Sequence, residues 1–263
     1  MCRVMGINHA TSGTAVWLAA TATLPVLGTD LYPLAPMGVL AGSFVCAGAA
    51  LLPDADHHSG TIAHSVPVVG KLVARAIGEG TGGHRHGAHT LLAALVVTFL
   101  AVLVGQLTVV LPQLGRVPIG PAVATVALVC FAVKARGLVQ RWLTAWLLGL
   151  AGGAAVLLFS PDSAVWFPLA VGLGFVAHIV GDLLTVDGVP GPLWPFSPRP
   201  PRLWRRLPGL NALWKGNGYV AVPLLGRAGS VREYLFGAAL GLYCVYATGT
   251  VILQAAELEG VIG

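Results

Sequence analysis

Seven stretches of this chain are each apolar for about the length of a membrane-crossing helix. That repetition limits the fold more than any single motif does. Crossing a bilayer takes about 20 mostly apolar residues. The stretches run roughly over 10–28, 34–52, 89–111, 118–135, 140–159, 164–185 and 234–256. Backbone polar groups in hydrocarbon must be satisfied within the chain, and runs of this length do so as helices. The expected fold class is therefore all-α: a polytopic integral membrane protein of about seven transmembrane helices. Only 10% of the residues are charged, against about 25% in a soluble domain. Such a chain could not cover a water-facing surface. The first run follows Arg3 and has the look of a signal peptide. We read it as a retained span, since cleavage would discard His9.

Positive charge sets the expected orientation. Of the 15 Lys and Arg, all but Arg116 fall at or near one side of a seven-span arrangement. Positive residues mark the cytoplasm. The N-terminus is then inside and the C-terminus outside, along with Asp30, Asp162, Glu257 and Glu259. The net charge of +5 reflects this topology and does not call for nucleic acid, because no recognisable nucleic-acid-binding module surrounds the basic loop. The four cysteines, Cys2, Cys46, Cys130 and Cys244, form no C-x-x-C pair. Neither a disulfide framework nor a thiolate zinc site is indicated.

Two loops have their own character. Residues 60–83 mix an apolar stretch with Lys71 and Arg75, then turn glycine-rich from Gly78 to Gly83. This predicts an interfacial helix followed by a flexible loop. Residues 186–233 combine Pro, Arg and Trp, which suits the headgroup layer. We divide the chain into a core over 1–196 and a second part over 197–263, the basic Pro/Trp-rich loop and the final helix.

The ionisable residues gather at one end. Pro53-Asp54-Ala55-Asp56-His57-His58 closes the second run. Carboxylates in a low-dielectric setting are costly without a cation or partner, and the end of a helix disfavours them further. Two carboxylates beside neutral imidazoles are good ligands for a divalent metal. His178 and Asp182 are four apart in an apolar helix, so they share one face. A private hydrogen-bonded pair is the plainer alternative. Asp187 and Thr185 follow as supporting groups or turn residues. His84-Arg85-His86-Gly87-Ala88-His89 opens the third run. His84 and His89 converge if one lies on a loop and the other starts the helix. Arg85 is the natural phosphate partner, with ordinary cytoplasmic charge as its alternative. His9 precedes the first run and joins the same end, whereas His58, His64 and His86 stay ambiguous. The span count places all of these groups at the cytoplasmic end of the bundle.

These residues together resemble the YdjM family, described as LexA-binding, inner-membrane-associated and predicted to be membrane-bound metal-dependent hydrolases. The likeness rests on His9, Leu52-Pro53-Asp54-Ala55-Asp56-His57, His84-Arg85, His89-Thr90, His178, Asp182, Thr185, Gly188-Val189 and Trp194-Pro195. It covers about residues 6–196. The chain departs from the pattern at His86 and Ala88, and Thr90 keeps the hydroxyl of the expected serine. The resemblance implies a metal-dependent hydrolase, acting on phosphoester bonds in lipid or lipid-linked substrates. The expected metal ligands are His9, Asp54, Asp56, His57, His84, His89, His178 and Asp182. Asp54, Asp56 and Arg85 are the expected catalytic residues. One or two divalent ions are expected, zinc first and manganese or iron as alternatives. The bilayer is the expected partner, with no nucleic acid, and the oligomeric state is open. A non-catalytic metal-binding protein with a structural or regulatory role is the competing reading.

Overall fold

The computed structural model describes residues 2–23, 34–113, 115–191, 194–207 and 209–262. The expected external loop with Asp30, the end of the first span, and the side chain of Glu259 lie outside what is described. The described chain is predominantly helical. Its ten α-helices are α1 (Cys2–Leu18), α2 (Pro36–Ala49), α3 (Val69–Thr81), α4 (Leu91–Gly105), α5 (Ile119–Ala135), α6 (Trp142–Phe159), α7 (Ser163–Leu183), α8 (Arg202–Arg206), α9 (Leu210–Leu213) and α10 (Val231–Ile262). Two short antiparallel strand pairs accompany them. One pairs β1 (Val109–Leu111) with β2 (Gly115–Val117), and the other pairs β3 (Val189–Pro190) with β4 (Tyr219–Val220).

Among the described residues, four helical stretches are long and apolar enough to cross a membrane: Pro36–Asp56, Trp142–Phe159, Ser163–Leu183 and Val231–Glu257. They coincide with four of the seven expected spans. Leu91–Gly105 and Ile119–Ala135 are apolar but shorter. The expected span over 89–111 stops early because β1 takes up its last residues. At 1.5 Å per residue, α4 is about 22 Å long, less than the hydrocarbon thickness of about 30 Å. The first span also differs from expectation. Its helix starts at Cys2, and His9 lies within the helix body. No proline interrupts residues 2–18, so the helix has no reason to wait for the apolar run.

The helix α2 is the axis of the bundle. It packs against α1, α5 and α7, while α5 pairs with α6 and α4 leans on α7. Small residues allow this closeness. A side chain at Gly48 would collide with the Leu128 backbone, and one at Gly174 with the Cys46 carbonyl. Without a hydrophobic drive between helices in lipid, such backbone approach is what van der Waals packing requires. Trp17 fills the space between α1 and α2 and donates its indole N–H to the Val39 carbonyl at 2.9 Å. The outer helices show large apolar side chains to the surroundings, among them Leu95 and Phe99 on α4 and Leu242 and Val245 on α10.

The 60–83 segment is half as expected. The helix α3 exposes Val69, Leu72 and Val73 and buries Gly70 and Ala74. Its polar side carries an exposed Arg75–Glu79 pair. The glycine-rich part is not a loop, since α3 runs on through Gly78 and Gly80. It ends at Gly82, whose φ of +84° is the left-handed C-terminal turn that glycine adopts without strain.

Candidate metal centre

The centre forms where the last turn of α2 gives way to a 3-10 turn over Pro53–Asp56. Proline cannot continue the α-helical hydrogen bonding. The tighter turn points Asp54 and Asp56 back across the bundle end. His178 and Asp182 come from the last two turns of α7, His9 from α1, and His89 from a 3-10 turn (Gly87–His89) that precedes α4. Thr90 caps α4 by accepting from the Ala93 amide at 3.1 Å, which stops that helix short of His89. His84 thus lies on a loop and His89 on a single 3-10 turn ahead of α4, and the two converge, with ring centroids 5.3 Å apart.

Four side-chain atoms close a ring. Asp54 Oδ1 lies 3.6 Å from His89 Nε2 and 3.7 Å from His178 Nε2. Asp182 Oδ2 lies 3.5 Å from each of the same two nitrogens. These separations exceed a normal N–H···O distance. Two ligands each about 2.1 Å from a tetrahedral ion would sit about 3.4 Å apart, so the spacing suits an ion between them. His9 Nε2 approaches Asp182 Oδ1 at 3.6 Å, and its ring stacks on His178 with centroids 3.7 Å apart. On the other side, Asp56 Oδ1 accepts from His84 Nδ1 at 2.8 Å, and Asp56 Oδ2 lies 3.5 Å from His89 Nδ1. Two sets could hold a metal ion: Asp54, Asp56, His84 and His89, and His9, His178 and Asp182.

The residues present fit a divalent cation on two independent grounds. First, Asp56 Oδ2, both nitrogens of His89, His178 Nε2 and Asp182 Oδ2 are buried without a hydrogen-bond partner among the described residues. Buried polar atoms left unpaired in this way are rare and costly. Here they face one another. Second, three carboxylates (Asp54, Asp56, Asp182) meet one guanidinium, Arg85, an excess of carboxylate charge that a bound cation or a protonated imidazole would balance. His178 is also held in a ligand's tautomer. Its Nδ1 faces the Ala50 carbonyl oxygen at 2.7 Å and must donate, which leaves a lone pair on Nε2.

Two expected residues sit differently. His57 lies beside the ring rather than in either set; its Nδ1 is 2.8 Å from Ser59 Oγ and its ring neighbours His58 and His84. Burial, with those two neighbouring imidazoles, lowers its pKa. Arg85 turns inward. Its guanidinium bonds Asp182 Oδ1 at 2.8 Å, approaches Thr185 Oγ1 at 3.5 Å and pairs with the exposed Asp187 at 3.4 Å. A phosphate reaching Arg85 would share it with these carboxylates.

Sequence reasoning passed over three participants. Tyr219 donates its hydroxyl to the Arg85 carbonyl oxygen at 2.9 Å, steadying a residue whose φ of +57° is unusual for a non-glycine. Burial pushes this phenol's pKa up, against the pull of the Arg85 charge. The β3–β4 pairing is what delivers Tyr219 from the far end of a long excursion, and no local signal announces it. The Ala50 carbonyl is a backbone group and invisible to side-chain patterns. Lys134 stands with Asp54, His57, His84 and Trp142 around a cavity of about 520 Å³ that opens beside the ring.

Comparison with curated proteins gives no match, and neither does comparison with solved structures. A family model does match, described as YdjM inner membrane protein, over residues 4–256. The match reaches far past the His- and Asp-bearing motifs, through Tyr219 and most of α10. The chain therefore belongs to the YdjM family of inner membrane proteins.

Proposed function

We propose that this protein is a metal-dependent hydrolase of phosphoester bonds in lipid or lipid-linked substrates, working at the cytoplasmic face of the inner membrane. The reading takes the chain as crossing the membrane about seven times, with its N-terminus inside and its C-terminus outside. One observation carries it. Asp54 belongs to the buried ring and at the same time lines the 520 Å³ cavity, with 22% of its side chain exposed. A purely structural metal site is closed on all sides, whereas a catalytic one keeps an open position.

When bound, a divalent ion supplies a water of lowered pKa and polarises the phosphoryl oxygen. His89, His178, Asp54 and Asp182 would hold it, with His9 behind Asp182. Asp56 and His84 orient His89 from its other nitrogen. Arg85 holds Asp182 in place and neutralises part of its charge. The cavity admits the phosphoester on the Asp54 side, where His57 and His84 face it.

The test is metal analysis of the purified protein, followed by a phospholipid hydrolysis screen on wild type and Asp54→Asn. The expected result is a divalent metal near stoichiometric amounts, with turnover lost in the variant. Full metal occupancy and full turnover in Asp54→Asn would sink the reading.

A further inference from the structure

Below the polar cavity lies a second hollow, and the two are stacked along the same three helices. The polar cavity takes Leu51 from just past the end of α2, Lys134 and Ala135 from the end of α5, and Trp142 from the start of α6. The lower groove, of about 360 Å³, takes Leu40 and Phe44 from α2, Val129 and Val133 from α5, and Leu148 and Ala155 from α6. On α2 the groove residues Met37 to Phe44 precede Leu51 by seven to fourteen positions, on α6 they follow Trp142 by six to thirteen, and on α5 they run from Val133, next to Lys134, back to Thr125. At 1.5 Å per residue the groove therefore begins near the level of Lys134 and reaches about 20 Å deeper. Half the hydrocarbon thickness is about 15 Å. The groove walls are apolar apart from the Thr125 hydroxyl. At the junction stands Lys134, which lies over the Trp142 ring at 5.1 Å and donates to the Gln140 carbonyl. It brings a cation to a cavity that Asp54 also lines.

We propose that these two hollows form one cradle for a single-chain or multi-chain anionic amphiphile. The hydrocarbon chain occupies the α2–α5–α6 groove, and the anionic head lies in the cavity between Lys134 and Asp54. Lys134 is a specificity-determining residue that selects a negative head, and Ala155 and Ala41 set the room for the chain. The proposal rests on the hydrolase reading only for the placing of the reacting bond near Asp54. Binding itself needs no turnover.

The experiment uses the full chain in phosphatidylcholine nanodiscs. The probe is hexadecyl phosphate carrying a diazirine at mid-chain, with the matching hexadecanol probe as the uncharged control. After irradiation, labelled peptides are mapped. The phosphate probe should concentrate on peptides of α5 and α6 that border the groove, at least fivefold above α10, and excess unlabelled hexadecyl phosphate should remove the label. Lys134→Gln should cut groove labelling at least fivefold for the phosphate and leave hexadecanol unchanged. Ala155→Phe on α6, or Ala41→Phe on α2, both of which line the groove, should abolish it, with thermal unfolding of each variant reporting that the fold is intact. Equal labelling of every lipid-facing helix, indifferent to these variants, would overturn the proposal. So would full protection by inorganic phosphate alone, which would mean a soluble phosphate and not an amphiphile fills the cavity. Groove labelling without any hydrolysis would sink the hydrolase reading and leave the cradle standing. Hydrolysis without groove labelling would do the reverse.

Discussion

Arg85, itself half-buried, forms an ion pair with the buried Asp182, Nη2 to Oδ1 at 2.8 Å, with 12% and 1% of their side chains exposed. This pair ties the loop before α4 to the end of α7, and it sits directly against the ring of ligand atoms. Removing one partner of such a pair strands the other's charge, at a typical loss of about 3–5 kcal/mol.

Arg85→Ala is therefore expected to lower thermal stability as well as activity. Arg85→Lys keeps the charge but loses the planar fork that also reaches Thr185 and Asp187, and should recover part of the loss. Thermal unfolding in detergent, with chelator present, separates this from a phosphate contact. A variant of unchanged melting temperature that only raises KM would return Arg85 to the phosphate role its sequence context suggests.

Chelation should destabilise the protein. The clustered carboxylates and unpaired imidazole nitrogens have little to offset their burial without a cation. A ligand at about 100 times its dissociation constant adds about 2.7 kcal/mol to folding stability. Melting curves before and after a chelator, then with zinc, manganese or iron restored, give both the effect and the metal preference. A curve that does not move with any ion speaks against the cluster as a metal centre.

Much of this site is legible in the sequence, because an apolar chain makes its few ionisable residues conspicuous. Asp54, His178 and Asp182 stand out as ionisable residues in or beside hydrophobic runs, and they are three contributors to the ring. What the sequence hides is of two kinds. Tyr219 and Lys134 are ordinary loop and boundary residues by sequence, and only a long-range strand pairing and a helix end bring them to the site. The role of Arg85 is hidden because a guanidinium suits a phosphate and a carboxylate equally well. Fold boundaries go astray where sequence hydropathy and backbone hydrogen bonding part company. Residues 109–111 are apolar enough to look like the end of a span, yet they pair as β1 with β2.

Topology offers a test that involves no chemistry. On the proposed reading of about seven spans with the positive loops inside, a reporter fused after Gly263 is expected to read as external, and one fused before Met1 as cytoplasmic. A fusion within residues 186–199 should read as cytoplasmic, since that loop carries the β3 strand that supports the site. A cytoplasmic signal at the C-terminus would remove one crossing. The shorter helix Leu91–Gly105 would be the first to re-examine.

The last prediction separates Asp54 from Asp56. Both follow Pro53, yet they do different things. Asp54 Oδ1 meets two imidazole nitrogens and also reaches the cavity. Asp56 is fully buried, holds His84 through one oxygen and lies behind His89 with the other. That is the position of a carboxylate that orients a ligating histidine, where replacement typically costs about 10–100-fold in metal affinity or activity. Asp56→Asn should therefore bind metal more weakly and regain most of its turnover when metal is raised to saturation. Asp54→Asn removes an anionic oxygen from the ring itself, so added metal should not restore turnover. Metal titrations followed by assays at saturating metal distinguish the two. If Asp56→Asn stays inactive at full occupancy, Asp56 acts on the substrate or on a second ion, and the two carboxylates do not divide the labour in this way.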